Sequence, residues 1–253
     1  MIRTARSASR RLVPATIRRW LRARWHGGEY VPPVGRVRFG SFRRTAPFSR
    51  AWGTERGLPI DRYYIERFLA EHAADICGYV LEVGDDRYTS RFGGARVVQN
   101  DVLHVADTRH ATIVADLTAG ESIPTNRFDC VICTQTLPFI YDVRAAIRTL
   151  YRILKPGGVL LGSVAGVGHP ISRFDMERWG DYWRFTTLST RLLCEEAFPA
   201  ARVTVKAYGN ALAATAFMMG LAAEDLTRNE LDYWDPDYEV AIVLRAVKPQ
   251  HAP

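Results

Sequence analysis

Three carboxylates close three successive apolar runs: Glu82 in Val80-Leu81-Glu82-Val83, Asp107 after Val102 to Ala106, and Asp116 after Ile113 to Ala115. If the runs are neighbouring strands of one open sheet, Glu82, Asp107 and Asp116 lie along one rim. An ionised carboxylate only accepts hydrogen bonds. One can therefore hold both hydroxyls of a ribose, and another the exocyclic amine of an adenine. Such a rim suits an adenosyl ligand and not a polyphosphate. Gly84 follows the first strand, and its conformational freedom lets the backbone come close to a ligand.

A second set of reactive side chains comes later. His169-Pro170, Asp175 and the run Asp181-Tyr182-Trp183-Arg184-Phe185-Thr186 follow the fifth apolar run. A hydroxyl that attacks an electrophile needs a base for its proton, and His or Asp can serve. His169 is the first candidate, with Asp175 and Asp181 next. Tyr182 and Trp183 suit stacking on a sugar face or covering a cation. The competing reading makes Trp183 and Phe185 core and pairs Arg184 with Asp181. Alignment of the reactants alone can also suffice, with no base. The sequence contains no compact His/Asp cluster at ligand spacing, so no metal is expected. Cys130 and Cys133 sit three apart in an apolar run, where strand geometry points them to opposite faces. They are read, with Cys77 and Cys194, as reduced core thiols in a reducing compartment.

The elements that position these groups follow from periodicity. Asp61 is a plausible N-cap of a helix carrying Tyr64, Ile65, Phe68 and Leu69 and ending near Cys77-Gly78. Strands are expected at 80–83, 101–107, 111–117, 128–135, 159–164, 203–207 and 240–247. Helices are expected at 142–154, stopped by Lys155-Pro156-Gly157-Gly158, and at 211–226. Strands alternating with helices or loops predict an α/β fold with a largely parallel sheet covered on both faces.

Of 253 residues, 47% are hydrophobic and 24% charged, as in an ordinary globular protein. The net charge of +7 is unevenly spread: residues 1–50 hold thirteen Arg against one acid, Glu29, a net +12 that leaves −5 for the rest. Residues 1–26 read as a basic arm with an apolar stripe (Leu12, Val13, Ile17, Trp20, Leu21, Trp25), with Pro14 near the first turn of an amphipathic helix. A solvated leader, a helix resting on an anionic membrane surface, and a partner-docking arm all fit it; an organellar transit peptide is a further option. Residues 27–60 form an irregular connection or cap, and 61–253 one domain. No run is long and apolar enough for a transmembrane helix, and a cytoplasmic protein, in peripheral membrane contact through the arm if at all, is expected.

In order along the chain, Leu81-Glu82-Val83-Gly84, Asp107, Ala115-Asp116-Leu117, Phe128-Asp129-Cys130-Val131-Ile132-Cys133-Thr134-Gln135-Thr136-Leu137 and Leu154-Lys155-Pro156-Gly157-Gly158 resemble the class I S-adenosylmethionine-dependent methyltransferases of small-molecule type. The resemblance covers roughly residues 60–248. It implies a Rossmann-like, doubly wound seven-stranded sheet, mostly parallel, whose antiparallel last strand lies between the fifth and sixth. It implies S-adenosylmethionine as cofactor, with Glu82, Gly84 and Asp85 at the methionine and ribose region. Asp107 would hold the ribose hydroxyls, Asp116 and Leu117 would frame the adenine, and Thr134 and Gln135 would approach the sulfonium. A turn or cap role is the alternative for Asp116 and the favoured one for Asp129. Asp181 to Thr186 is similar to a segment of relatives associated with glycan and cell-envelope biosynthesis.

Two departures stand out. The loop after Gly84 has Asp86 and Tyr88 where relatives have glycines, and their Cβ atoms restrict the backbone's approach. Leu137-Pro138-Phe139-Ile140 lacks the acid and histidine that relatives place there. The reading is methyl transfer to a hydroxyl of a sugar, glycolipid or natural product. The alternative is a non-catalytic relative serving as a scaffold in a biosynthetic complex. Nucleic acid is not expected as a partner, because the positive charge is confined to one terminus and no base-flipping motif or zinc cluster occurs.

Overall fold

The structure is a computed structural model that describes residues 14, 17, 18, 20, 21 and 31–250. The chain divides into two units, Met1–Thr45 and Ala46–Pro253. In the first, Ile17, Arg18, Trp20 and Leu21 have helical backbone, and the Arg18 N–H donates to the Pro14 carbonyl at 3.1 Å. Leu12, Val13 and Trp25 of the expected apolar stripe lie outside the described residues. Among the described residues, no helix is long and apolar enough to cross a membrane.

The second unit is built on a sheet of seven strands among the described residues: β1 Gly78–Val83, β2 Val97–His104, β3 Ile113–Val114, β4 Phe128–Thr134, β5 Leu154–Ala165, β6 Val203–Tyr208 and β7 Ala241–Val247. Their order is β3-β2-β1-β4-β5-β7-β6. Neighbours from β3 to β5 pair in parallel, while β7 runs antiparallel to both β5 and β6. This is the expected Rossmann-like sheet, with its last strand between the fifth and sixth.

Both faces of the central strands are covered, which is why they read as unbroken apolar runs. Along β4, Val131 and Cys133 join one core cluster and Cys130 and Ile132 the other. The first cluster takes in α2 (Val143–Ile153) and α4 (Thr187–Glu195); the second takes in α1 (Ile60–Glu71) and α5 (Ala211–Met218). A short α3 (Arg173–Met176) and α6 (Arg228–Asp232) flank them. Burial raises the thiols of Cys133 and Cys194 to about 12, so both are protonated in the core.

Several boundaries differ from expectation for local reasons. β2 begins and ends earlier than 101–107, so Asp107 falls in the loop beyond it. Asp61 is not the N-cap of α1: Pro59 (φ −51°) precedes the helix, and Asp61 lies in its first turn. The helix from Ala211 stops at Met218, because Gly220 takes φ +71° beside the Ser49 carbonyl. Lys155 to Gly158 does not separate a helix from a strand. It bulges out of β5 between the pairs Phe128–Leu154 and Cys130–Val159. Asp129 ties this bulge to β1, accepting from Tyr79 N (2.8 Å) and Lys155 Nζ (2.7 Å). Asp129 is thus structural here, as a tie between strands and not as the turn or cap residue expected.

Candidate active site

Parallel strands leave a crevice at their carboxyl ends, and here two cavities open along that edge. The first, about 600 Å³, is walled by the ends of β1, β2 and β3, including Gly84, Leu103, His104, Asp116 and Leu117. The second, about 340 Å³, lies over β1, β4 and β5 and includes Asp61, Arg62, Asp85, Thr134, His169, Asp175 and Asp181. Val83, Gly84, Gln135 and Phe139 line both.

Glu82 does not present a free carboxylate. It is 2% exposed and accepts from Tyr88 N (3.1 Å), Thr89 N (2.7 Å) and Thr89 Oγ1 (2.7 Å). Burial raises its carboxyl to about 7 against the pull of those three donors. The backbone N–H groups that open the turn after Gly84 therefore point at Glu82. This closes the loop in the absence of the usual glycines. Gly84 itself has φ +99°, and a Cβ built on it would meet nothing within 4 Å, so its backbone borders open space.

At the end of β2 the rim carries His104, a residue the sequence reading passed over. Asp107 is exposed and absent from the cavity wall, because β2 ends three residues before it. His104 Nδ1 lies 3.0 Å from both the N–H and the carbonyl oxygen of Ala106, while Nε2 makes no hydrogen bond to a described residue. Trp179 packs edge-on to this imidazole at 5.7 Å. Asp116 lines the same cavity; its Oδ1 accepts from Thr118 N (2.8 Å) and Thr118 Oγ1 (2.9 Å), and Oδ2 makes no hydrogen bond to a described residue. Asp116 thus combines the turn role and the rim role.

Gln135 sits between the cavities in a positive-φ conformation (φ +49°), uncommon for a residue with a side chain. Its backbone N–H reaches Ser163 O at 2.9 Å, and its side-chain Nε2 is buried without a hydrogen-bond partner. A buried amide donor left open in this way calls for a ligand acceptor.

The three candidate bases share the second cavity but differ in availability. Asp181 accepts from both Arg184 Nη atoms (2.5 and 2.9 Å) and from Ser172 N (2.9 Å). Burial works to raise its carboxyl, but Arg184 and Ser172 outweigh it and hold it below the ordinary value. Asp175 is engaged by Ser172 Oγ (2.5 Å) and Trp179 Nε1 (3.1 Å). Both acids thus order the segment that bears them. Phe185 is core, while Trp183 is half-exposed with Nε1 on the Ile140 carbonyl at 3.0 Å. Asp85 is paired with Arg87, which outweighs burial to keep its carboxyl low.

His169 is different. Its side chain is 9% exposed, and neither Nδ1 nor Nε2 has a hydrogen-bond partner. Nε2 stands 3.6 Å from Asp61 Oδ2, and the ring packs edge-on to Phe217 at 4.7 Å. Asp61, 13% exposed by its side chain, was expected only as a helix cap. Their proximity was hidden by the 107 residues between them.

Residues 66–162 match the family model described as a methyltransferase domain. S-adenosylmethionine is the cofactor that the sequence motifs imply. Comparison with curated proteins found no match. Among solved structures, the domain is similar to an S-adenosylmethionine-dependent methyltransferase from Archaeoglobus fulgidus, at 10% identity and TM-score 0.50, over 74% of this chain and 94% of that one. It is also similar to the N-methyltransferase NodS from Bradyrhizobium japonicum in complex with S-adenosylhomocysteine, at 15% identity and TM-score 0.49, over 78% and 91% of the two chains. The first likeness supports the fold.

The first cavity fits that cofactor. Its apolar walls, the open Gly84 backbone, the free Asp116 oxygen, the His104 imidazole and the unpartnered Gln135 amide offer the surfaces an adenosyl amino acid requires.

Proposed function

We propose that the protein methylates a hydroxyl of a sugar, glycolipid or natural product held in the second cavity, with His169 as base. The observation carrying this reading is the buried, unpartnered His169 imidazole beside Asp61, in a cavity that meets the cofactor cavity at Gly84 and Gln135.

Asp116 and His104 would hold the adenosyl part, and Gln135 and the Gly84 backbone would stand where the two cavities meet. The cofactor, when bound, supplies an electrophilic methyl group on a sulfonium. The chain's own part is to orient the acceptor and take its proton. With the proton on Nε2 facing Asp61, the lone pair of His169 Nδ1 is left to receive the hydroxyl proton. Asp61 then faces the imidazolium and stabilises it. Tyr141, packed 5.4 Å from Tyr182 and 5.9 Å from Trp183, forms with them an exposed aromatic face on the side of the first cavity, where it would cover the sulfonium.

A scaffold reading draws support from the loop N–H groups turned onto Glu82 and from the histidine in place of an acid on the rim. Calorimetric titration with S-adenosylmethionine and S-adenosylhomocysteine separates the two. Binding of both, followed by methylated product from a panel of hydroxylated acceptors, supports the enzyme. No binding of either ligand leaves the scaffold.

A further inference from the structure

A third cavity, about 390 Å³, adjoins the second: Trp52, Pro170 and Ser172 line both. Its other walls include Ile171, Phe174 and Met218, which are 58%, 59% and 54% exposed. Scattered apolar side chains on a surface are ordinary, but three converging on one groove mark a surface that gains from being covered.

Two further features distinguish this groove. Trp52 holds φ +56°, and with Asn126 and Gln135 it makes up the non-glycine residues at positive φ among those described. Gln135 stands where the first and second cavities meet, and Trp52 where the second and third do. Backbone held in such conformations concentrates at ligand sites. Arg50 and Arg173 also line the groove, and neither is ion-paired with a described residue. Arg173 Nη1 donates to the neutral Met176 Sδ at 3.4 Å, and apolar walls beside two guanidinium groups with no carboxylate partner among the described residues complement a ligand that is both aliphatic and negatively charged.

We infer that this groove receives the aliphatic chain of an anionic amphiphilic acceptor. The hydroxylated head occupies the second cavity beside His169, and the chain runs past Trp52 along Phe174 and Met218. The negative group lies toward Arg50 and Arg173. The inference rests on the second cavity being the acceptor site, and it narrows the acceptor class. A free sugar would fill the second cavity and leave the groove bare.

The test uses the full chain and titration calorimetry with octyl, decyl and dodecyl phosphate below their micelle concentrations. Dodecyl maltoside is the neutral arm. Affinity should rise roughly threefold or more for each added pair of methylenes. Phe174→Asp and Met218→Asp should each weaken dodecyl phosphate about tenfold, in line with the loss of apolar contact at one wall. Arg50→Glu with Arg173→Glu should weaken the phosphate and spare the maltoside. Leu188→Asp, on the exposed face of α4, should change nothing and controls for adsorption. Unfolding midpoints verify that each variant is folded. Affinity independent of chain length, or lowered equally by Leu188→Asp, overturns the groove. Equal binding of phosphate and maltoside overturns its anionic character. Chain binding that persists in a protein transferring methyl to no acceptor rejects the reaction proposed above and leaves the groove standing.

Discussion

His169 Nε2 lies 3.6 Å from Asp61 Oδ2, across a cavity wall where both side chains are nearly enclosed. The separation is longer than a hydrogen bond, so the pair is poised rather than locked. If it serves proton removal, His169→Ala should lower kcat by about 10²–10⁴. Asp61→Asn should lower it about tenfold, corresponding to about 1.4 kcal/mol less stabilisation of the imidazolium. Neither change should alter S-adenosylhomocysteine affinity, since both residues line the second cavity and not the first. Wild-type turnover in both variants would eliminate the dyad.

His104, and not Asp107, lines the first cavity at the end of β2. Its Nε2 can make one hydrogen bond to a ligand where a carboxylate would accept two. Removing it in His104→Ala should weaken S-adenosylhomocysteine binding about three- to tenfold, the worth of one ordinary hydrogen bond. Asp107→Ala should bind as the parent does. The opposite ranking in a calorimetric titration would return the ribose to Asp107 and require the 105–112 loop to close over the cavity.

This substitution also shows where the sequence was legible and where it was not. β1, β4 and β5 were readable because both their faces are buried and apolar. β2 was misplaced by four residues at its start because Gln99 and Asn100 look like loop ahead of Asp101, where the strand was expected to begin. They are strand, since Arg127 (2.9 Å) and Thr112 (3.1 Å) satisfy the Asp101 carboxylate across the fold. Such long-range partners leave no local trace. The same holds for Asp61, whose neighbour His169 is a matter of tertiary packing, and for Glu82, whose partners Tyr88 and Thr89 replace the expected loop glycines. Asp116, Leu117 and Gln135 line the first cavity, whereas Asp85 and Thr134, which the motifs assign to the cofactor, line only the second.

Gly158 bears on the meaning of the Leu-Lys-Pro-Gly-Gly segment. A Cβ there would lie 2.9 Å from the carbonyl oxygens of Lys155 and Phe128, both backbone atoms with little room to yield. Gly158→Ala should therefore cost about 1–3 kcal/mol, the range for overpacking. The unfolding midpoint should fall by about 2–4 °C for each kcal/mol. Cofactor affinity should be retained where the protein is folded, because the bulge is remote from both cavities. Unchanged stability would mean the segment is not held as described.

Glu82 predicts a pH dependence with a definite sign. Its carboxyl rises on folding from an ordinary 4.5 to about 7 because it is buried. Between those values the folded state holds a proton that the unfolded state has released. Stability should therefore be greatest below about pH 4.5 as far as this group is concerned, and should fall as pH rises to about 7, by on the order of 3 kcal/mol. Above that pH its contribution is level. Denaturant unfolding at constant ionic strength across this window measures the slope. In Glu82→Gln the slope should flatten, while overall stability drops by about 1–3 kcal/mol because one carboxamide oxygen cannot serve three donors. A slope of the same size in Glu82→Gln would assign the titration to another group. Stability rising through the window in the parent, with the rise lost in the variant, would mean that Tyr88 and Thr89 hold Glu82 ionised.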